Sequence, residues 1–378
     1  MNKNIRINIH EVIFVVCYIF LLLSVLFERV YFIRNYLNYF EYFSISILFL
    51  NYITDLKFTR KNLFVFLIIS IFVGISTIIT KNLVLMKMIL LLLGSKSIEF
   101  KKILKIDVII RTILVILVLI FHFNGMTNDY LTLRDGILRN SMGFAHPNIF
   151  GLNILIINME ILYISKRKFN LKIFLINIIS LAVIMNFSYS RTCAYILILV
   201  LIFYYLSLVK EIKIDNNLLK NIIIRLFIII TFITYIFTLM YRNNSEIGIK
   251  INNFLSSRIY CINSLLEQYG ISILGKNIPF ISTELAKIQG VNPIVLDNAY
   301  FHILIRYGVI VYCIFYYMFK KILTDMINNK DVVGVVIVVS FLIYGISETF
   351  MFNISYNTFL YYFTTILFIR KKEVKKDE

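Results

Sequence analysis

Long apolar runs separated by short polar clusters fill the chain, and runs at residues 12–27, 63–80, 108–123 and 332–347 are each about as long as a helix needs to cross the ~30 Å hydrocarbon layer. Cutting at the polar breaks gives spans near 12–27, 36–53, 63–80, 82–93, 107–123, 147–164, 173–189, 191–209, 222–241, 298–319, 332–350 and 354–369, the fourth being short. This pattern predicts an all-α, polytopic membrane helical bundle of about 12 transmembrane helices, forming a single integral membrane domain over residues 1–378. Composition agrees. The chain is 60% hydrophobic with a mean hydropathy of +0.83, whereas a soluble domain holds roughly 45–50% apolar residues. The first run lacks a small-residue cleavage site, so it is expected to be a retained helix rather than a signal peptide.

The formal net charge of +18 raises the question of nucleic acid. However, the Lys and Arg residues sit in short clusters between apolar runs, as in loops resting on an anionic leaflet, so membrane lipid is the expected partner and nucleic acid is not. With a cytoplasmic N-terminus, the inner loops carry Lys57, Arg60, Lys61, Lys101, Lys102, Lys105, Lys210, Lys220, Lys320 and Lys321, and the tails add Lys3, Arg6 and Arg370. The outer loops carry far fewer, mainly Arg29, Arg34, Lys81, Arg134, Arg139 and Arg191. The positive-inside rule therefore predicts a multi-pass protein of the cytoplasmic membrane with both termini cytoplasmic.

Two outer segments are too long for simple turns, residues 124–146 and 242–297, and such loops often carry function. Within the second, residues 253–269 space Phe254, Leu255, Ile259, Ile262, Leu265, Leu266 and Tyr269 as one apolar stripe, predicting a helix along the membrane surface. Cys17, Cys193 and Cys313 fall in apolar runs and Cys261 in a polar stretch, a distribution that proposes neither a disulfide nor a metal site.

Three polar clusters border the outer side. The first runs from Arg139 to Asn148, with His146 at a cap position and Pro147 in the first helical turn. A phosphate could be stabilised there by free backbone N–H groups, or His146 and Asn148 could simply cap the helix. The second, Ser188-Tyr189-Ser190-Arg191-Thr192, places a guanidinium at the bundle rim, suited to a diphosphate or to snorkelling. In the third, Asn298, His302 and Arg306 recur at i, i+4 and i+8 below Asp297, with Tyr300 between them. Arg306 within a span calls for a polar cleft or a buried partner such as Glu348. Glu160 and Lys87 are expected to snorkel or pack. No Gly-rich nucleotide loop, metal-ligand spacing or paired acidic motif is present, so neither metal nor cofactor is expected.

In order, Arg139…Gly143-Phe144-Ala145-His146-Pro147-Asn148, Ser190-Arg191-Thr192, a long outer loop with Ser257-Arg258 and Leu274-Gly275, and Asp297-Asn298-x-Tyr300…Gly308 resemble the bacterial Wzy-type polysaccharide polymerases, relatives of the O-antigen ligases. The aromatic residue usual after the family's Arg is less clear here. The resemblance implies metal-independent, inverting glycosyl transfer outside the cytoplasm. A glycan on undecaprenyl diphosphate would be the donor and a lipid-linked repeat unit the acceptor, making capsule, exopolysaccharide or O-antigen, with a flippase and a chain-length regulator as partners. It further implies that Arg191 with Arg139, Arg258 or Arg306 holds the donor diphosphate. Asp297, His146, His302 and Glu348 compete as the base, supported by Asn148, Asn298 and Tyr300. Asp297-Asn298, where ligases tend to carry His-Asn, favours the polymerase branch. The Ile, Asn, Lys, Phe and Tyr bias suggests an AT-rich genome, as some Gram-positive bacteria have. The alternatives are a ligase-like transferase and a lipid-linked oligosaccharide flippase or transporter. A transporter would be expected to place charges at several midplane depths and to break helices in pairs.

Overall fold

The computed structural model describes residues 9–54, 60–134, 136–165, 169–210, 212 and 214–369. Lys3, Arg6, Lys57 and Arg370 lie outside the described residues, as do the side chains of Arg60, Lys61 and Arg134. The described residues are helical, with one hairpin. In order come α1 (Ile9–Leu26), α2 (Leu37–Thr54), α3 (Arg60–Thr80), α4 (Val84–Gly94), α5 (Phe100–Phe123), β1 (Leu131–Arg134), β2 (Ile137–Asn140), α6 (Pro147–Ile164), α7 (Leu171–Val183), α8 (Arg191–Val209) and α9 (Asn217–Arg242). Then follow α10 (Glu246–Phe254), α11 (Arg258–Tyr269), α12 (Thr283–Gln289), α13 (Ala299–His302), α14 (Gly308–Asn328) and α15 (Val332–Tyr344).

Six helical stretches among the described residues are long and apolar enough to cross a membrane: Ile9–Leu26, Pro147–Ile164, Leu171–Ser188, Arg191–Val209, Asn217–Arg242 and Ala299–Asn328. Four shorter apolar ones accompany them, Phe64–Thr80, Val84–Gly94, Val332–Tyr344 and Thr358–Phe368. Their surfaces fit a lipid solvent. On α9 only Phe227, Ile230, Thr234 and Thr238 are buried, one stripe at three- to four-residue spacing. The exposed remainder includes Ile228, Phe232, Ile233 and Ile236. Water would penalise that face, whereas hydrocarbon does not.

The centre of the bundle contains a polar network that the hydropathy pattern conceals. Arg111 on α5 is fully buried. Its Nε donates to Asp107 (2.8 Å), Nη1 to Asn153 Oδ1 on α6 (2.7 Å) and Nη2 to the Ser355 carbonyl (2.7 Å). Tyr18 of α1 donates to the other Asp107 oxygen (2.5 Å). Glu160, also fully buried, accepts from Thr358 (2.5 Å) and lies within electrostatic reach of Asp107 and Arg111. Of the two expectations for Glu160, snorkelling or packing, the structure takes the second, because α6 runs through the bundle rather than along its rim. Lys87 pairs with Glu41 (3.1 Å).

Three expected helices take a different form. The stripe at 253–269 is two helices, α10 and α11, because Ser256 and Ser257 adopt φ of 55° and 64° and Asn252 caps the turn by accepting from Tyr260 N (2.9 Å). Phe254 is accordingly exposed, while Ile259, Ile262 and Leu265 are buried. The last span, expected at 354–369, begins at Thr358 and passes without a gap from a 3₁₀ turn (Thr358–Tyr361) through Tyr362–Thr364 to a π turn (Thr365–Ile369), its entry held by the Arg111–Ser355 and Glu160–Thr358 contacts.

The span at 298–319 breaks after a π turn, Ile303–Tyr307. There Gly308 has φ +89°, and the 242–297 segment supplies the hydrogen bonds that the helix loses: Lys276 N to Arg306 O (2.8 Å), Val309 N to Ser272 O (2.9 Å) and Ile310 N to Ile273 O (3.2 Å). Broken helices are tolerated at membrane depth where other backbone satisfies the freed groups. A Cβ on Gly308 would lie 2.5 Å from Gly275 N and 2.6 Å from Ile273 O. Gly308→Ala is therefore expected to cost about 2–4 kcal/mol, combining backbone strain with overpacking. Gly125→Ala is the control: it shares a positive φ (70°) but has nothing within 4 Å. Equal thermal unfolding midpoints in detergent for the two variants would contradict the close docking.

Candidate functional site

Segments distant in sequence converge where α6, α8, α11 and α13 begin. His146 caps α6, its Nδ1 accepting from Asn148 N (3.1 Å), with Pro147 in the first turn. Arg139 reaches this point from the β1–β2 hairpin, in which it pairs with Thr132. The hairpin lies within a segment whose sequence predicts only a loop. Arg139 Nε donates to the Ser188 carbonyl (3.1 Å) and Nη2 to Asn148 Oδ1 (2.5 Å). The Ser188–Arg191 turn can approach because Gly151 faces it: a Cβ there would lie 2.9 Å from both Ser188 Oγ and Ser190 Cβ. Arg191 follows at the exposed first position of α8.

Asn148 extends the chain of contacts, donating Nδ2 to Glu348 Oε1 (2.7 Å). Glu348 also faces Arg258 Nη2 (3.4 Å), while Arg258 Nε donates to the Ser347 carbonyl (2.7 Å). The helix carrying Glu348 in the 332–350 prediction stops at Tyr344, so this carboxylate lies in a turn beyond it. That turn is tied to the start of α13 by Ala299 N to Gly345 O (2.8 Å), Asn298 Nδ2 to Ile346 O (3.0 Å) and Tyr300 Oη to Leu342 O (2.6 Å). Asn298 and Tyr300 thus act as ties that bring Asp297 and Glu348 into one electrostatic pair.

Asp297 has open surface yet is crowded by surrounding protein, as a residue lining a recess is. Burial raises its carboxyl pKa, against the pull of Arg258. Glu348 is pushed up to about 8, first by burial and then by Asp297, with Arg258 opposing. His146 is lowered to about 4 by burial and by Arg139, so its ring is neutral at pH 7. Around it lies a group not foreseen from sequence. Arg29 donates to Glu284 Oε1 (2.9 Å) and to the Ala145 carbonyl (3.4 Å) and sits 5.6 Å from the centre of the Tyr130 ring. The Arg29 hydrogen bond holds the Glu284 carboxyl below its ordinary value. The partners are 255 residues apart, so no local pattern could signal the pair.

Two expected members lie apart from this cluster. His302 stacks on Phe280 at 4.9 Å, with Nδ1 against the Leu296 carbonyl (3.3 Å). Arg306 lies 5.0 Å from the same Phe280 ring. The expected alternative of an Arg306–Glu348 pair is not formed; Arg258 takes that carboxylate instead, because the π turn and Gly308 divert the helix carrying Arg306. Among the described residues, no group of three His, Cys, Asp or Glu side chains could hold a metal ion.

The chain matches no family model, no curated protein and no solved structure.

Proposed function

We propose that this protein is an integral membrane glycosyltransferase of the Wzy type, polymerising undecaprenyl-diphosphate-linked repeat units on the outer face of the cytoplasmic membrane. The observation that carries the reading is the contact chain Arg139–Asn148–Glu348–Arg258, which gathers two guanidinium groups around one carboxylate, with Asp297 as that carboxylate's charged neighbour. The apolar runs support about twelve passes, and the Lys and Arg bias supports both termini being cytoplasmic.

In this reading the acceptor hydroxyl oxygen bonds to the donor's anomeric carbon from the face opposite the diphosphate, the carbon–oxygen bond to the diphosphate breaks, and the hydroxyl proton passes to a carboxylate. Arg139, Arg191 and Arg258 stabilise the charge that grows on the leaving diphosphate. Asp297 is the favoured base. It is the carboxylate open to the recess, whereas Glu348 is held by Asn148 and Arg258 and His146 is too weakly basic.

In a strain producing the polymer, Arg191→Ala at normal protein level should leave single repeat units on the lipid carrier and reduce long chains at least tenfold. Unchanged chain length would remove Arg191 from the mechanism. Long polymer that forms but is not passed to its final acceptor would indicate a ligase.

A further inference from the structure

Among the described residues, Arg306 is a cation without an anion. It sits about two helical turns from the outer start of an apolar helical stretch, Ala299–Asn328. Among the described residues its side chain makes no hydrogen bond or ion pair, and its Nε is buried without a partner. Two aromatic rings provide its surroundings, Phe280 at 5.0 Å and Tyr307 at 5.6 Å from Cζ. Ring faces attract a guanidinium but leave its N–H donors unsatisfied. A charged side chain at this depth ordinarily marks a partner or a ligand.

The surroundings indicate the ligand's chemistry. His302 stacks on the same Phe280 ring with an interplanar angle of 10°, its Nδ1–H donating to the Leu296 carbonyl (3.3 Å), and so fixes the ring on which Arg306 rests. The loop strand hydrogen-bonded to the backbone of Arg306, Val309 and Ile310 carries Ile271 and Ile273, which are 48% and 68% exposed. A planar fork of donors suits a phosphate or diphosphate bidentately, and the apolar strand beside it suits a hydrocarbon chain. A free anion would make no use of those isoleucines. Arg306 takes no part in the Arg139–Asn148–Glu348–Arg258 contacts and has Phe280 and Tyr307 as its neighbours instead, so it stands apart from that cluster.

We propose that Arg306, with His302, Phe280 and Tyr307, forms a second phosphate subsite that holds the diphosphate headgroup of a second polyprenyl lipid arriving from the outer leaflet. Resting on the polymerase reading, this lipid is the acceptor: joining two lipid-linked glycans requires two headgroups to be held at once, and the cluster around Arg139 and Arg258 holds one.

The full chain in nanodiscs, titrated with undecaprenyl diphosphate and followed by native mass spectrometry, should bind two equivalents. Arg306→Gln should bind one, with affinity for the other equivalent reduced at least tenfold, and Arg306→Lys should recover part of the loss. Normal binding of the first equivalent by Arg306→Gln shows that the variant is folded. Inorganic diphosphate should not displace the second equivalent. Two equivalents retained by Arg306→Gln, displacement by inorganic diphosphate at equal concentration, or equal occupancy by phosphatidylglycerol would each overturn the proposal. Because binding is read without turnover, two-site binding that depends on Arg306 in a protein that fails to polymerise would preserve the subsite and reject the catalytic reading.

Discussion

Arg111→Leu is expected to lower stability by about 3–5 kcal/mol, enough to prevent accumulation of folded protein in the membrane. The side chain is fully buried and supplies the cation of a network containing Asp107, Glu160 and Tyr18. Removing it leaves two carboxyl groups enclosed without a counter-charge and releases the carbonyls and amides that Arg111 links. One of these is the Ser355 carbonyl, so the effect reaches the turns that follow Glu348. The double variant Arg111→Leu/Asp107→Leu should recover part of the loss, because apolar side chains of similar volume can replace a buried pair at little net cost. Fluorescence-detected size exclusion and thermal unfolding in detergent would measure both. A wild-type midpoint for Arg111→Leu would show that the network is not held by its charge.

The carboxyl pair at the recess leads to the second large effect. Activity should rise with pH along a limb set by Asp297 and Glu348, since a base must be ionised to accept the hydroxyl proton. Burial raises both groups, and Glu348 reaches about 8. Two nearby carboxylates repel reciprocally, so the limb belongs to the pair. Glu348→Gln should therefore move the limb to lower pH, whereas Asp297→Asn should cost on the order of 10²–10⁴-fold in rate at every pH. The reverse pattern would make Glu348 the base. The linkage to stability has a definite sign. A carboxyl raised from 4.5 to about 8 holds its proton more tightly in the folded state, so its contribution is fully present below pH 4.5 and is lost as pH rises through about 8. Glu348→Gln should flatten that decline.

Cap chemistry and hydropathy were readable because they depend on neighbours in the chain. His146 before Pro147 opens α6 as its residue types dictate, and the expected span at 147–164 coincides with that helix. Asp107 and Arg111 carried a readable signal, opposite charges four residues apart in an apolar run, but hydropathy averaging absorbed it. The hairpin bearing Arg139 gave a weaker signal, since its strands are four residues each. The break at Gly308 depends on contact from elsewhere, since Gly275 touches it, whereas the break at Ser256-Ser257 is closed locally by Asn252.

By itself, the sequence determined that the chain is helical and membrane-embedded, since burial in lipid is governed by run length and apolar content. It also marked Arg139, His146, Asn148, Arg258, Asp297 and Glu348 as unusual in their positions. Only the tertiary structure decided how they are partnered. Glu348 takes Arg258 and Asn148 rather than Arg306, and Arg306 is left with Phe280 and His302. The physical reason is that a buried charge is satisfied by whichever group the backbone brings within about 3 Å. In this protein that choice is made by a helix that breaks at Gly308 and by a turn tied to Asn298.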